Sequence, residues 1–259
     1  RRRLAGIALM CGALICFSGL DASAKWLVRY VDPIQVVWAR YAMSVLLISI
    51  VINSWTTPGV MRTRRPGLQA IRSILLLLST ALNFVAIQYL QLAEAMAIQF
   101  TTPFVVALAA GPLLGERVGP RRMAAIAVGF LGVLIVARPG MGGLHPAAML
   151  SVLSAVTYGL YAICTRMLAG TDSSRTTMVY SGLAGVVLIT PIVPFFWTNP
   201  PDALGWALML GVSFFGGFGH WLLILAHARA PAPVLSPFIY TQIVWMIILG
   251  WLIFGEFPD

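Results

Sequence analysis

An apolar stretch from Leu92 to Leu114, long enough to cross a bilayer as a helix, closes on Gly115-Glu116, and a second stretch from Val234 to Phe254 closes on Gly255-Glu256. The two endings lie 140 residues apart. At that single offset, without gaps, Gly19, Leu20 and Ala22 fall on Gly159, Leu160 and Ala162, Asp32 falls on Asp172 and Ala86 on Ala226. Gly, Ala and Leu are common enough to match by chance, but the chain holds 8 acidic residues, so the paired acids carry more weight. One offset recurring in separate segments is the mark of an internal duplication. It divides the chain into units 1–140 and 141–259.

Composition says what solvent these units are made for. The chain is 59% hydrophobic and 10% charged, with a mean hydropathy of +0.90, which suits lipid rather than water. A helical crossing needs about 20 apolar residues, and at that length nine crossings are expected, at residues 4–27, 34–53, 70–90, 93–114, 120–137, 146–168, 175–197, 203–227 and 232–254. The breaks carry turn chemistry, as at Asp32-Pro33, Gly119-Pro120, Pro139-Gly140 and Asn199-Pro200-Pro201. The net charge of +9 does not form a basic stripe with interleaved aromatics, so nucleic acid is not expected as a partner. Cys11, Cys16 and Cys164 all lie in apolar runs and suggest neither a disulfide framework nor a metal site.

The first unit holds five crossings and the second four. By the offset, residues 120–138 would find their counterpart at about 260–278, so a tenth helix is expected beyond Asp259. A unit with an odd number of crossings enters from the opposite side when repeated, which makes the two halves inverted. Inverted repeats are a recurring transporter architecture, with the solute site near the midplane between them. The positive-inside rule orients the chain. A cytoplasmic N-terminus puts Arg1, Arg2, Arg3, Arg62, Arg64, Arg65, Arg72, Arg117, Arg121, Arg122, Arg166, Arg175 and Arg229 inside, against Lys25, Arg29 and Arg138 outside.

Two five-helix inverted units, each with a fourth helix ending in Gly-Glu, resemble the EamA type of the drug/metabolite transporter superfamily, and among them the bacterial exporters of aromatic amino acids. The resemblance implies an all-α, ten-helix 5+5 carrier with a central cavity, here lacking its tenth helix. It further implies a monomer in the bacterial inner membrane that exports small organic solutes by alternating access.

Polar groups at membrane depth are costly in lipid and face protein or water, so they are the candidates for lining such a path. Asp21 shares a helix face with Ser18 and with Lys25 one turn on. It reads either as half of an Asp21–Lys25 pair or as an ionisable group on the path. If Lys25 holds it charged, proton coupling is disfavoured. Ser79 and Asn83 share a face, as do Gln99 and Thr102, Ser236 and Tyr240, and Tyr158, Tyr161 and Thr165. A lone Ser or Thr commonly bonds to its own helix, whereas buried Asn83, Gln99, Gln242 or His220 without partners would be expensive. Trp221 and Trp245 join Tyr158, Tyr161 and Tyr240 as an expected aromatic lining. Glu116 and Glu256 close their spans and read as anchors, and Arg40 is a weaker candidate for a solute carboxylate. With Arg40 and Lys25 as the basic groups near mid-depth, phosphorylated solutes are disfavoured.

No phosphate loop, metal-spaced histidine pair or nucleophile with a base assembles, so neither an enzyme nor a cofactor is expected. A membrane-embedded transferase, a non-transporting scaffold and a proton-coupled drug exporter of the same fold stand as alternatives. The expected partners are a small-molecule solute and the lipid bilayer.

Overall fold

The computed structural model describes the chain except for residues 1, 52–58, 116–118, 120–123, 125–127, 129–130, 133–144, 169–170, 231–234, 236–237 and 258–259. Among the described residues it is helical and contains no strand. The elements are α1 (Arg2–Leu27), α2 (Pro33–Val51), α3 (Pro66–Ala86), α4 (Leu92–Gln99), α5 (Thr102–Leu114), α6 (Ala147–Leu168), α7 (Ser174–Ile189), α8 (Ala203–Arg229) and α9 (Thr241–Phe254), with a 3-10 turn at Val193–Phe196. Residues 3–27, 66–86, 92–114, 147–168 and 203–223 are long and apolar enough to cross a membrane. The chain is a multi-pass membrane protein. Glu116, Ser236, Pro237 and most of the expected crossing at 120–137 lie outside the described residues.

Local chemistry explains the boundaries. Pro33 and Pro66 open α2 and α3, where a missing N–H costs nothing. Ser173 accepts from the Thr176 N–H and Asp202 from the Gly205 N–H, capping α7 and α8 at 3.1 and 2.7 Å. Beyond Ile189 the run containing Pro191 and Pro194 does not continue as α-helix, so α7 is shorter than the expected 175–197.

The expected fourth crossing is two helices rather than one. It breaks at Phe100-Thr101, between α4 and α5, and the chain breaks again at Tyr240, just before α9. Phe100-Thr101 and Tyr240-Thr241 are separated by the same 140 residues as the Gly-Glu endings. Thr101 Oγ1 donates to the Ile98 carbonyl at 2.8 Å and Thr241 Oγ1 to the Phe238 carbonyl at 2.7 Å. The rings of Phe100 and Tyr240 meet edge to face, 5.1 Å apart. Although Pro103 and Pro237 are out of register, the breaks coincide. Gly115 and Gly255 then end α5 and α9 in the left-handed region, at φ 69° and 68°, a conformation that favours glycine.

In lipid, helices associate through close packing and polar contacts rather than through hydrophobic burial. α1 lies along α8, α3 along α6, and α2 against α7 and α8. A methyl on Gly219 would come within 2.8 Å of the Phe17 ring, and one on Gly185 would overlap the Tyr41 ring, so small residues set both approaches. At one end of the bundle Lys25 reaches the Leu90 carbonyl (2.7 Å) and Glu256, and Gln35 exchanges two hydrogen bonds with the Thr198 backbone (2.9 and 2.8 Å). There too the Tyr89 ring stacks on His145 at 5.1 Å. At the other end Asp172 accepts from Thr63, Gln69 and the Arg64 N–H, and the Tyr180 hydroxyl donates to the Met61 carbonyl. α1 finishes and α6 starts at the same end, so the two run in opposite directions.

Candidate functional site

A chain of hydrogen bonds crosses the interior from α1 to α6. Asn83 Nδ2 donates to Asp21 Oδ1 at 3.2 Å, and Gln99 Nε2 reaches Asn83 Oδ1 at 3.5 Å and Ser154 Oγ at 2.7 Å. Ser154 Oγ donates to the Ser79 carbonyl at 2.8 Å, and Ser79 Oγ returns a bond to the Ser154 carbonyl at 3.1 Å. Thr102 Oγ1 donates to the Ala155 carbonyl at 3.5 Å, one residue further along α6. Asp21, Asn83, Gln99 and Thr102 are thus brought to one seam between α1, α3, α4, α5 and α6. Gln99 is the last residue of α4 and Thr102 the first of α5, so the helix break is what aims both at α6. Each of the four is half-buried rather than sealed, which leaves acceptors and donors turned toward the interior.

The expected Asp21–Lys25 pair does not form. Lys25, 3% exposed, gives its charge to Glu256 and lies over the Phe254 ring at 5.1 Å. Spacing along one helix pointed to Asp21, but a partner 231 residues away takes the ammonium. With it goes the argument that Lys25 would hold Asp21 charged. Glu256 acts as an anchor, as expected, but on Lys25 and, at 4.0 Å, on Arg29.

Arg40 reaches the face of α3 that also holds Asp21, through Thr80, three residues before Asn83. Arg40 Nη1 donates to Thr80 at 2.8 Å, and its guanidinium stands 5.8 Å from the centre of the buried Phe84 ring. Arg72, counted by the sequence on the cytoplasmic side, lies two turns inside α3 and is 3% exposed. It donates to Thr165 (2.7 Å), Ser181 (2.8 Å), Tyr161 Oη (3.0 Å) and the Thr177 carbonyl (3.1 Å), and stands over the Tyr161 ring at 4.6 Å. Tyr158, 41% exposed, stands one turn beyond Ser154 on α6.

The remaining expected residues separate into two groups. Tyr158 and Tyr161 form a tilted pair 5.4 Å apart on α6, and His220 meets the Phe17 ring at 5.0 Å, one turn from Asp21. Gln242 is buried and Trp245 half-buried on α9. Ser18 is buried but bonds back to the Leu14 carbonyl at 2.9 Å. Trp221, 47% exposed, packs beside Phe218 in a row with Phe214 on α8 rather than joining the seam. Tyr240, 59% exposed, sits on Phe100. Ser79, expected on one face with Asn83, and Ser154, which the sequence reading does not single out, complete the seam. A hydroxyl at either position reads as back-bonding until both helices are placed. Among the described residues no group of three or more His, Cys, Asp or Glu side chains could hold a metal ion.

The sequence profile of the EamA-like transporter family matches residues 4–138 and again 145–259. A riboflavin transporter of Rhizobium johnstonii is 31% identical over 265 residues, covering 99% of this chain and 85% of that one. An S-adenosylmethionine uptake transporter of Rickettsia conorii is 23% identical, covering 99% and 86%. A solved crystal structure superposes with a TM-score of 0.69 at 18% identity, covering 98% of this chain and 90% of its own, and shares the fold.

Proposed function

The chain belongs to the EamA-like transporter family, and from that premise we propose that it moves small aromatic metabolites, aromatic amino acids among them, through the seam at Asp21, Asn83, Gln99 and Ser154. It is a transporter of small metabolites and not an enzyme. In this reading ten helices in two inverted five-helix units, 1–140 and 141 onward, work by alternating access in the bacterial inner membrane. The N-terminus is cytoplasmic and the carrier is a monomer. Three observations support the arrangement: the family profile matches twice, the two helix breaks lie 140 residues apart, and α1 and α6 are antiparallel.

The single observation that carries the solute assignment is the seam itself. Amide, carboxylate and hydroxyl groups line one side and Tyr158 and Tyr161 stand on the same helix as Ser154. Such a surface hydrogen-bonds the polar rim of a flat molecule while aromatic rings contact its face. Relatives named for riboflavin and S-adenosylmethionine favour a solute with a fused heteroaromatic ring. We take the direction to be export; the name of the Rickettsia relative favours uptake, and flux in vesicles of the two orientations separates them.

The test is counterflow in proteoliposomes with labelled tryptophan and labelled riboflavin. Asn83→Ala and Gln99→Ala each remove an amide that would contact solute, and each is expected to lower flux roughly tenfold or more, the effect of losing one or two buried hydrogen bonds. Unchanged flux in both variants, or transport confined to sugar phosphates, overturns the assignment.

A further inference from the structure

Among the described residues three charged side chains, Arg40, Arg72 and Asp21, stand inside the bundle away from its ends, and they are not equally occupied. A guanidinium carries five N–H donors. Arg72 places four hydrogen bonds on protein oxygens and a face on Tyr161, so it serves as a tie between α3, α6 and α7. Arg40 places one, on Thr80, and stands 5.6 and 5.8 Å from the Tyr41 and Phe84 rings, which leaves most of its donors without an oxygen. Asp21 has one donor, Asn83, for a carboxylate that can accept about four bonds. Among the described residues Arg40 has no carboxylate within 4.0 Å, and the cation one turn from Asp21 is already taken by Glu256.

Opposite charges this deep normally close into a direct, well-hydrogen-bonded pair or are each saturated by neighbours, because an unpaired ion in low dielectric is costly. Arg40 and Asp21 do neither, although the residues that hold them, Thr80 and Asn83, lie three apart on one face of α3. The packing keeps them where they are. The Arg40 stem runs past Gly216 of α8, where a methyl would lie 3.9 Å from Cγ and 3.8 Å from Nε. Thr80, which holds Nη1, is itself fixed by Tyr41 Oη at 3.0 Å. Asp21 is tied to Asn83, which Gln99, itself bonded to Ser154, holds from the far side.

We propose that Arg40 and Asp21 are the two halves of a zwitterion receptor, Arg40 taking the solute's carboxylate and Asp21 its ammonium group. A charge-assisted hydrogen bond spans about 2.8 Å, so a receptor that grips both ends of an amino acid cannot be a closed ion pair. It has to be held open, as this one is. The body of the solute then lies toward Tyr158, one turn along α6 from Ser154 of the seam. The inference rests on the carrier reading above and narrows it from aromatic metabolites in general to those with both charges.

The experiment uses the full chain in proteoliposomes, with labelled tryptophan in counterflow and four unlabelled competitors: tryptophan, tryptophanamide, tryptamine and indole-3-propionate. For the parent protein, tryptophan is expected to compete at least tenfold better than any analogue lacking one charge. Arg40→Met should erase its advantage over tryptophanamide and tryptamine and keep its advantage over indole-3-propionate; Asp21→Asn should do the reverse. If Arg40→Met does not reconstitute, Arg40→Lys should retain the carboxylate preference with a smaller ratio, since an ammonium cannot make the bidentate contact. Equal competition by all four compounds, or the same ratios in parent and variants, overturns the proposal. Riboflavin flux without any tryptophan flux overturns it and leaves the carrier reading standing, whereas absence of flux for both solutes overturns both.

Discussion

At one end of the bundle the buried Lys25 concentrates its charge on Glu256 and the Leu90 carbonyl beneath the Phe254 ring, whereas at the other end Asp172 is shared among Thr63, Gln69 and a backbone N–H. The first joint links α1, the α3–α4 turn and the end of α9 through one cation. The second links the residues before α3 to those before α7 through several neutral donors at the edge of the helices. The contrast is one of dielectric. A buried ion pair loses most when one partner goes, because the other charge stays behind unpaired, while a carboxylate near water can replace lost donors with solvent. One end is therefore fastened in an all-or-none way and the other in a graded way.

The largest effect is expected where charge is most deeply enclosed, at Arg72, two turns in from the Asp172 end. Arg72→Met strands three side-chain hydroxyls and a carbonyl and should cost about 3–5 kcal/mol, read as a lowered unfolding temperature in detergent. A loss no larger than that of an exposed Arg64→Met control would remove the distinction between the depth of the helices and their rim. Next comes the ion pair. Glu256→Gln should cost about 2–3 kcal/mol, tempered because Glu256 is 26% exposed. Combining it with Lys25→Met should restore most of that, since the stranded cation is then gone. A double variant no better than the single one would show that the joint is held by geometry rather than by charge.

The smallest effect is expected at Asp172. Partial burial raises its carboxyl, but the Thr63, Gln69 and Arg64 N–H hydrogen bonds and the Arg64 charge outweigh this and hold it below the ordinary carboxylate value. A depressed folded pKa stabilises the fold above the unfolded value of about 3.9 and loses that contribution as pH falls through the folded value. Stability curves of the parent and Asp172→Asn should thus differ modestly at neutral pH and converge in acid. A gap that persists below the folded pKa would assign the joint to hydrogen bonding alone.

Hydropathy and turn chemistry made most of the helices legible, and the cost of burying Asn83 and Gln99 pointed to the seam before any helix was placed. What stayed hidden depended on partners far away in sequence. Lys25 could be seen only beside Asp21, its neighbour on the helix, because nothing local to residue 25 announces Glu256. Arg72 counts with the cytoplasmic arginines in the sequence because it stands only two residues into the expected crossing at 70–90. Pro66 starts that helix a turn earlier and carries the guanidinium inward. The break at Phe100-Thr101 is masked because residues 92–114 are apolar enough on average to read as one crossing, in which Gln99, Thr102 and Pro103 mark the region but not the residue. Trp221 was placed at the right depth, yet depth along a helix does not say which way a side chain faces.

The reciprocal bonds between Ser79 and Ser154, reinforced by Arg72 on Tyr161 and Thr165, fasten α3 to α6 along much of their length. α3 lies in the first sequence unit and α6 in the second, and the same is true of α1 and α8, which pack just as closely. The units that the duplication defines along the chain are consequently interleaved in space rather than packed as two separate bodies. In the alternating-access reading proposed above, rocking would divide the α3–α6 pair from the α1–α8 pair, with Asp21 and Asn83 on opposite sides of the line. Their 3.2 Å hydrogen bond would then be a contact that the proposed cycle breaks and remakes.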